Sequence, residues 1–450
     1  MSIAKTMKML NLNKDEPCVC GKNHRSVTAN TLIQKNITPD ILEFIRHNFE
    51  NGAKGCIICD INTCAASQNM ISALENAGLC ETALLDIKSH HADEAMLEDC
   101  ERVLNGKSFK NFDYFIAAGA GTIHDITRIV AYNRNLPFIS YPTASSVDGF
   151  VSGVAPLTSK DGMKLTLDSS SPIALFADID VLASAPKRLS AAGAGDIFSK
   201  YIALADWRIS NLLTGEYICE PVMKLQYYAA DKARDSLVEY SKNKNNRELY
   251  EKFCADLLEA LVISGLCMQY TGNSRPASGA EHHLAHFFEM EIILSTDCLH
   301  GENVGVGTVL CADLYHRFAN SENIEFIGNY EMEYDFVKKY YGGLYGGNLY
   351  NEVIKENAPN SIAKVSSKDF YDNLDNIRNI ISEIPSKEEL ISLLNILDGV
   401  TGVHDGNGVN GIKPYNLKCG ENEIEPLALR LAPYIRDRFT LLKFMRCVEF

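Results

Sequence analysis

Along the first 180 or so positions the apolar residues follow two alternating periods. Short unbroken runs at Gly55–Ile61, Ala83–Ile87, Phe112–Ala118, Leu136–Tyr141 and Pro172–Ala177 have the length and continuity of strands buried on both faces. Between them, over 40–50, 67–77, 91–104 and 123–130, the spacing widens to that of helices with one face toward a core. Thr38-Pro39-Asp40 marks the first helix start, because proline is tolerated in the opening turn. Repeated strand-helix units call for a parallel sheet covered by helices, with ligands at the carboxyl ends of the strands. After Ala185-Pro186-Lys187-Arg188 the helical period takes over, and Leu257–Met268 reads as a core helix. The expected architecture is therefore an α/β parallel-sheet domain over 1–185 and an all-α helical domain over 186–450, in keeping with a chain too long for one core.

Composition narrows the partners. Hydrophobic residues at 46% and charged residues at 22% are those of a folded globular protein. The 43 Lys and Arg against 58 Asp and Glu give a net charge of −15, which disfavours nucleic acid or an anionic membrane as a broad partner. A small phosphorylated substrate needs only local cations. No stretch approaches the ~18 uninterrupted apolar residues of a spanning helix, and Met1–Met9 lacks a signal-peptide apolar core, so a cytoplasmic protein is expected. The fourteen cysteines are scattered through apolar runs and read as small buried hydrophobes in a reducing compartment. Cys56 and Cys59 lie in a strand and face opposite sides. Cys18-Val19-Cys20-Gly21 with His24 offers three soft ligands and no evident fourth, so a plain hairpin turn is expected there.

The candidate chemistry sits at four places. The strand ending in Gly119-Ala120-Gly121-Thr122 runs straight into a helix, and residues without a β-carbon allow a pyrophosphate to reach backbone amides at a helix N-terminus. The full GxGxxG spacing is missing, and paired glycines after a strand also occur in proteins with no cofactor. Next comes Thr143-Ala144-Ser145-Ser146-Val147-Asp148-Gly149, continuing to Ser152, a loop able to offer hydroxyls and one carboxylate, or an ordinary Ser/Thr-rich turn. Asp196 follows Gly193-Ala194-Gly195 and is expected at a helix start, as a cap or as a metal ligand. Finally, four of the eleven histidines lie between 282 and 300. His282 and His286 are four apart, so both imidazoles leave one helix face, whereas the adjacent His283 points elsewhere. Asp196, His282 and His300 would leave an open coordination position, as catalytic divalent sites do.

Taken in order, these pieces resemble the iron-containing alcohol dehydrogenase superfamily and, within it, the glycerol-1-phosphate dehydrogenases. The resemblance rests on Gly119–Asp125, Pro142–Phe150, Gly193–Asp196, Asp206-Trp207, Ser274–His282, His300-Gly301-Glu302 and Tyr434–Leu442, and covers residues 40 to 310 well. The stretch from 320 to 420 matches poorly and reads only as helices with a Gly-rich loop at Gly342–Gly347. The resemblance implies the dehydroquinate synthase-like fold, a Rossmann-like domain followed by a helical domain, and a homodimer. It makes Asp196, His282 and His300 the ligands of one divalent metal, zinc, nickel or ferrous iron. It makes His286 a substrate-contacting group, with Asp148 near the substrate hydroxyls. Gly121, Thr122, Ile123, His124 and Asp125 would turn around the pyrophosphate of NAD(H) or NADP(H). Thr143, Ala144, Ser145, Ser146 and Ser152 would line the nicotinamide side, and Asp60 would meet the adenosine ribose. Two positions depart from the pattern: Val147 stands where many relatives carry histidine, and Ala118 and Ala120 stand where a glycine triplet is common.

The activity so implied is the interconversion of dihydroxyacetone phosphate and sn-glycerol 1-phosphate. In that reaction the metal would act as a Lewis acid on the C2 carbonyl, and His286 or a water held by Asp148 would supply the proton. Arg275 and Lys164 are candidates to meet the phosphate. The competing expectations are a polyol dehydrogenase of the same fold, indifferent to the phosphate, and a cyclase resembling 3-dehydroquinate synthase. A glutamate at the first metal position is that cyclase's pattern, and Asp196 speaks against it.

Overall fold

The computed structural model describes residues 17–450 except 88, 90, 109–110, 161–163, 329–330, 345–346, 359 and 405–409. Met1–Met9 and two residues of the Gly-rich loop, Tyr345 and Gly346, thus lie outside the described residues. Two compact units are present. The first holds Lys22–Gly193 and Asp231–Gly272, and the second holds Ala194–Ala230 and Asn273–Phe450.

The first unit is built on a sheet of strands β1 (Asn30–Gln34), β2 (Gly55–Asp60), β3 (Cys80–Leu85), β4 (Tyr114–Gly119), β5 (Phe138–Pro142) and β8 (Ala174–Asp178). Their order is β1-β8-β5-β4-β2-β3 and every neighbouring pair is parallel. Helices α1 (Thr38–Asn48), α2 (Gln68–Asn76), α3 (Glu94–Asn105) and α4 (Gly121–Asn133) connect the strands. The apolar runs form the strands for the expected reason: β2, β4 and β5 are buried on both faces apart from the terminal Asp60, and two core layers lie on either side of the sheet. From β2 the chain proceeds outward to β3, and from β4 in the opposite direction to β5, so the order reverses between β2 and β4. A crevice opens outside the carboxyl ends of two such strands. Ile58 is registered against Ala117, and two residues further along stand Asp60 and Gly119. The antiparallel pair β6 (Val154–Thr158) and β7 (Lys164–Asp168) and the edge strand β1 were not evident from apolar period alone.

The second unit is mostly helical. It contains α6 (Lys200–Thr214) and α9 (Ala280–Glu289) and α10 (His300–Asn320), and it shares with the first unit the continuous helices α5 (Lys187–Phe198) and α7 (Glu220–Ser241). Helix α8 (Arg247–Thr271) belongs to the first unit. It is long and apolar enough to cross a membrane by composition alone, but 72% of its most apolar window is buried within the protein. All fourteen cysteines are free thiols.

Candidate metal centre and coenzyme turn

At the end of β4 the chain enters α4 without a side-chain cap. Gly119 is required there by packing, since a β-carbon would stand 2.5 Å from Ile123 Cβ. His124 turns into the core. Its Nδ1 lies 3.0 Å from Ala120 O and its Nε2 2.7 Å from Ser140 Oγ, and burial lowers its pKa to about 3, so the ring is neutral. Ile123 is buried as well. Asp125 stands 3.8 Å from the guanidinium of Arg128, a fully buried side chain that donates to the carbonyls of His124 (3.3 Å), Val154 (2.9 Å) and Gly149. The side chains at 123–125 are therefore engaged in holding the turn in shape.

The hydroxyl loop divides similarly. Thr143 N donates to Gly119 O at 3.1 Å, tying the loop to the turn. Ser145 Oγ donates to Cys254 O at 2.8 Å, and Ser152 Oγ bonds the backbone of Val154. Ser146 Oγ is buried with no hydrogen-bond partner among the described residues. Asp148 accepts from Ser264 Oγ at 2.9 Å. Asp60 Oδ1 accepts from the amides of Asn62 (2.7 Å) and Thr63 (3.0 Å), capping the short helix Ile61–Ala66.

In the second unit the histidine face converges as its spacing predicts. The ring centroids of His282 and His300 are 5.5 Å apart, those of His286 and His300 5.8 Å, and those of His282 and His286 6.3 Å. His282 Nε2 lies 3.9 Å from Asp196 Oδ1. Two ligands each ~2.0–2.2 Å from a divalent ion can be at most ~4.0–4.4 Å apart, so this separation is within reach of a shared ion. The ring nitrogens opposite the site are held by carboxylates: His282 Nδ1 meets Glu281 Oε1 at 2.8 Å, and His300 Nδ1 meets Glu289 Oε1 at 2.6 Å. His286 Nδ1 approaches Glu289 Oε2 at 3.4 Å. His283 points away, with neither nitrogen hydrogen-bonded among the described residues.

Glycines explain how these side chains meet. A β-carbon on Gly195 would lie 2.2 Å from Gly301 O, and one on Gly307 would lie 2.5 Å from Glu281 O. Helix α10 thus touches α5 beside Asp196 and touches α9 beside His282, backbone against backbone. This corrects the expectation for Asp196. It is not at a helix start, because α5 begins at Lys187, and Gly193 and Gly195 lie inside the helix as points of close approach. Asp196 is fully buried, and its Oδ1 accepts from the equally buried Lys200 ammonium at 2.8 Å. Lys200 also donates to Ala277 O at 3.0 Å.

Electrostatics follow from that burial. It drives the His282 pKa well below its usual value, helped by Lys200, so the ring is neutral and able to ligate. Burial also raises Glu281, with Asp206 adding to it, to about 8. Burial works to raise Glu289 as well, yet His300 and His286 outweigh it and hold that carboxyl well below its usual range. His286 is lowered by burial and by Arg436, against the pull of Glu289.

Other candidates are employed elsewhere. Arg275 pairs with Glu216 and donates to Phe439 O at 2.7 Å, so it is a structural cation and no phosphate ligand. The Lys164 side chain lies outside the described residues. Asp206, next to Trp207, accepts from Ala280 N, Tyr315 Oη and Leu441 N, each at 2.8 Å, and anchors the start of α9. Within the amino-terminal turn Cys18 N donates to Lys22 O at 2.9 Å. Glu281, Glu289, Lys200 and Arg128 escaped the reading of the sequence. Glu289 three residues after His286 and Lys200 four after Asp196 were the signals that could have found two of them.

Residues 32–186 match the iron-containing alcohol dehydrogenase family. The glycerol-1-phosphate dehydrogenase (NAD(P)+) of Bacillus velezensis is 40% identical over 296 residues, which is 65% of this chain and 73% of the relative. The enzyme of the same name from Bacillus licheniformis is 38% identical over 305 residues, 66% of this chain and 73% of the relative. Among solved structures, an iron-containing alcohol dehydrogenase of Thermotoga maritima shares the fold, with a TM-score of 0.52 over 91% of this chain and 98% of that one at 14% identity. With almost three-quarters of these relatives matched at such identity, the chain belongs to the glycerol-1-phosphate dehydrogenase family of iron-containing alcohol dehydrogenases.

Proposed function

We propose that this protein is a metal-dependent, NAD(P)H-linked oxidoreductase that interconverts dihydroxyacetone phosphate and sn-glycerol 1-phosphate. The observation that carries the reading is the convergence of Asp196, His282 and His300, with His286 beside them. One carboxylate and two imidazoles are a donor set that would suit a divalent ion with a preference for hard and borderline ligands. Bound there, the ion supplies Lewis acidity toward the C2 carbonyl, and the reduced nicotinamide supplies the hydride.

The protein's own groups do the rest. The amides opening α4 receive the pyrophosphate at a helix N-terminus, and Asp60, across the point where strand order reverses, takes the ribose hydroxyls. Ser146, whose buried hydroxyl has no partner among the described residues, would line the nicotinamide side together with Thr143, Ala144, Ser145 and Ser152. His286 exchanges a proton with the substrate oxygen through Nε2, its Nδ1 being turned to Glu289. Arg436, whose charge acts on His286, takes the place once expected of Arg275 in meeting the phosphate. The enzyme works as a cytoplasmic homodimer, with no nucleic-acid or membrane partner.

Two measurements test this. Chelation should abolish NADH- or NADPH-dependent reduction of dihydroxyacetone phosphate, and a divalent ion should restore it. Unphosphorylated dihydroxyacetone should be a poor substrate in the same assay. Equal turnover of both ketones would replace the reading with that of a polyol dehydrogenase, and activity undiminished in His282→Ala would remove the ligand assignment.

A further inference from the structure

The carboxylate of Glu289 spans two imidazoles. Its Oε1 lies 2.6 Å from Nδ1 of His300 and its Oε2 3.4 Å from Nδ1 of His286, and the Glu289 side chain is only 5% exposed. A carboxylate offers acceptors alone, so each ring that meets it carries its proton on Nδ1 and turns the lone pair of Nε2 outward. His286 and Glu289 share α9, three residues apart, whereas His300 opens α10. One side chain thus fixes the tautomer and the orientation of rings arriving from two helices.

The three donor atoms of His286, Glu289 and His300 all lie within 4.8 Å of one another, close enough that they could themselves enclose an ion. The bonds argue otherwise. At 2.6 Å the Glu289 oxygen already occupies Nδ1 of His300 in a strong, charge-assisted hydrogen bond. The same design recurs beside it, where Glu281 Oε1 holds Nδ1 of His282 at 2.8 Å and that ring's Nε2 faces Asp196. Both ligand imidazoles therefore have a carboxyl oxygen at Nδ1.

We infer that Glu289 is a positioning residue that binds no metal itself: it holds His300 as the Nδ1–H tautomer for the ion and His286 in the matching tautomer for the substrate. The inference rests on the ligand assignment of Asp196, His282 and His300 made above. Outer carboxylates of this kind typically change metal affinity by ~10–100-fold when removed.

The test is metal affinity of the full-length protein, measured by competition with a chromophoric chelator, together with the visible spectrum of the cobalt(II) form. The wild type, Glu289→Gln, Glu289→Asp and His300→Ala are compared after thermal unfolding shows that each apo form is folded. The expected result is that Glu289→Gln still binds one equivalent of cobalt with an unaltered band pattern, but ~10–100-fold more weakly. Glu289→Asp should fall between it and the wild type, and His300→Ala should lose tight binding and change the spectrum. Unchanged affinity in Glu289→Gln, with His300→Ala impaired, overturns the positioning role alone. A Glu289→Gln spectrum that shifts like that of a lost ligand makes Glu289 a direct ligand and also overturns it. Full affinity in His300→Ala overturns the assignment on which the inference stands.

Discussion

The turn that opens α4 and the junction of α5, α9 and α10 both depend on glycine, and they use it for opposite ends. In the turn, Gly119 lets Ile123 close onto the strand, while His124 and Asp125 are spent on Ala120, Ser140 and Arg128. What remains for a ligand is backbone. At the helical junction, Gly195 and Gly307 bring helix backbones into contact so that Asp196, His282 and His300 project into one space. There the side chains are what a ligand would meet. A backbone site tolerates a change of side chain that preserves the turn, whereas a side-chain site is lost when the helices separate by the width of a methyl group.

That contrast can be broken most severely at Gly195. Gly195→Ala places a methyl 2.2 Å from a backbone carbonyl that cannot rotate away, so α5 and α10 must part. Overpacking of this kind costs ~1–3 kcal/mol or more, and calorimetry should show it together with a loss of metal affinity. Gly119→Ala meets the β-carbon and branches of Ile123 rather than backbone, and should cost at most ~1–3 kcal/mol. Its signature should be a raised KM for the coenzyme with metal affinity unchanged. If both variants impaired metal binding equally, the two regions would not be separate devices.

The remaining effect shows itself only in acid and concerns the stability of the turn. His124 has its folded pKa lowered to about 3, whereas the unfolded ring titrates near its ordinary value of 6.5. Its contribution is complete above that ordinary value and is lost as the pH falls toward the folded one, because the unfolded chain takes up a proton that the folded chain refuses. The slope is at most ~1.4 kcal/mol per pH unit. His124→Gln should flatten the pH dependence of the melting temperature between pH 6 and 4, which thermal scans would show.

The same contrast governs what could be read before the fold was known. Continuous apolar runs marked the central strands because a sheet covered on both faces leaves no polar alternation, and the edge strand β1 escaped for the converse reason, being only half-buried. Asp196, His282 and His300 could be picked out as candidates because few residue types ligate metals, and the fold brings them near one another. Their supports could not be picked out, since Glu281, Glu289 and Lys200 have ordinary surface chemistry until burial fixes the partners each one holds. Asp196 was misplaced at a helix start because glycine is commonly a helix boundary, whereas here its missing side chain serves a crossing of helices. The pairing of His300 with Glu289 is a property of how α9 lies on α10, and no local spacing contains it.

The Lys200 ammonium against Asp196 has one last implication. A solitary buried anion would make folding conditional on a cation from solution, because an uncompensated interior charge is strongly destabilising. An internal counter-charge removes that condition, so folding of the polypeptide should not depend on the ion. Preparations stripped of metal should remain native in circular dichroism, and which ion is recovered should track the supply in the growth medium.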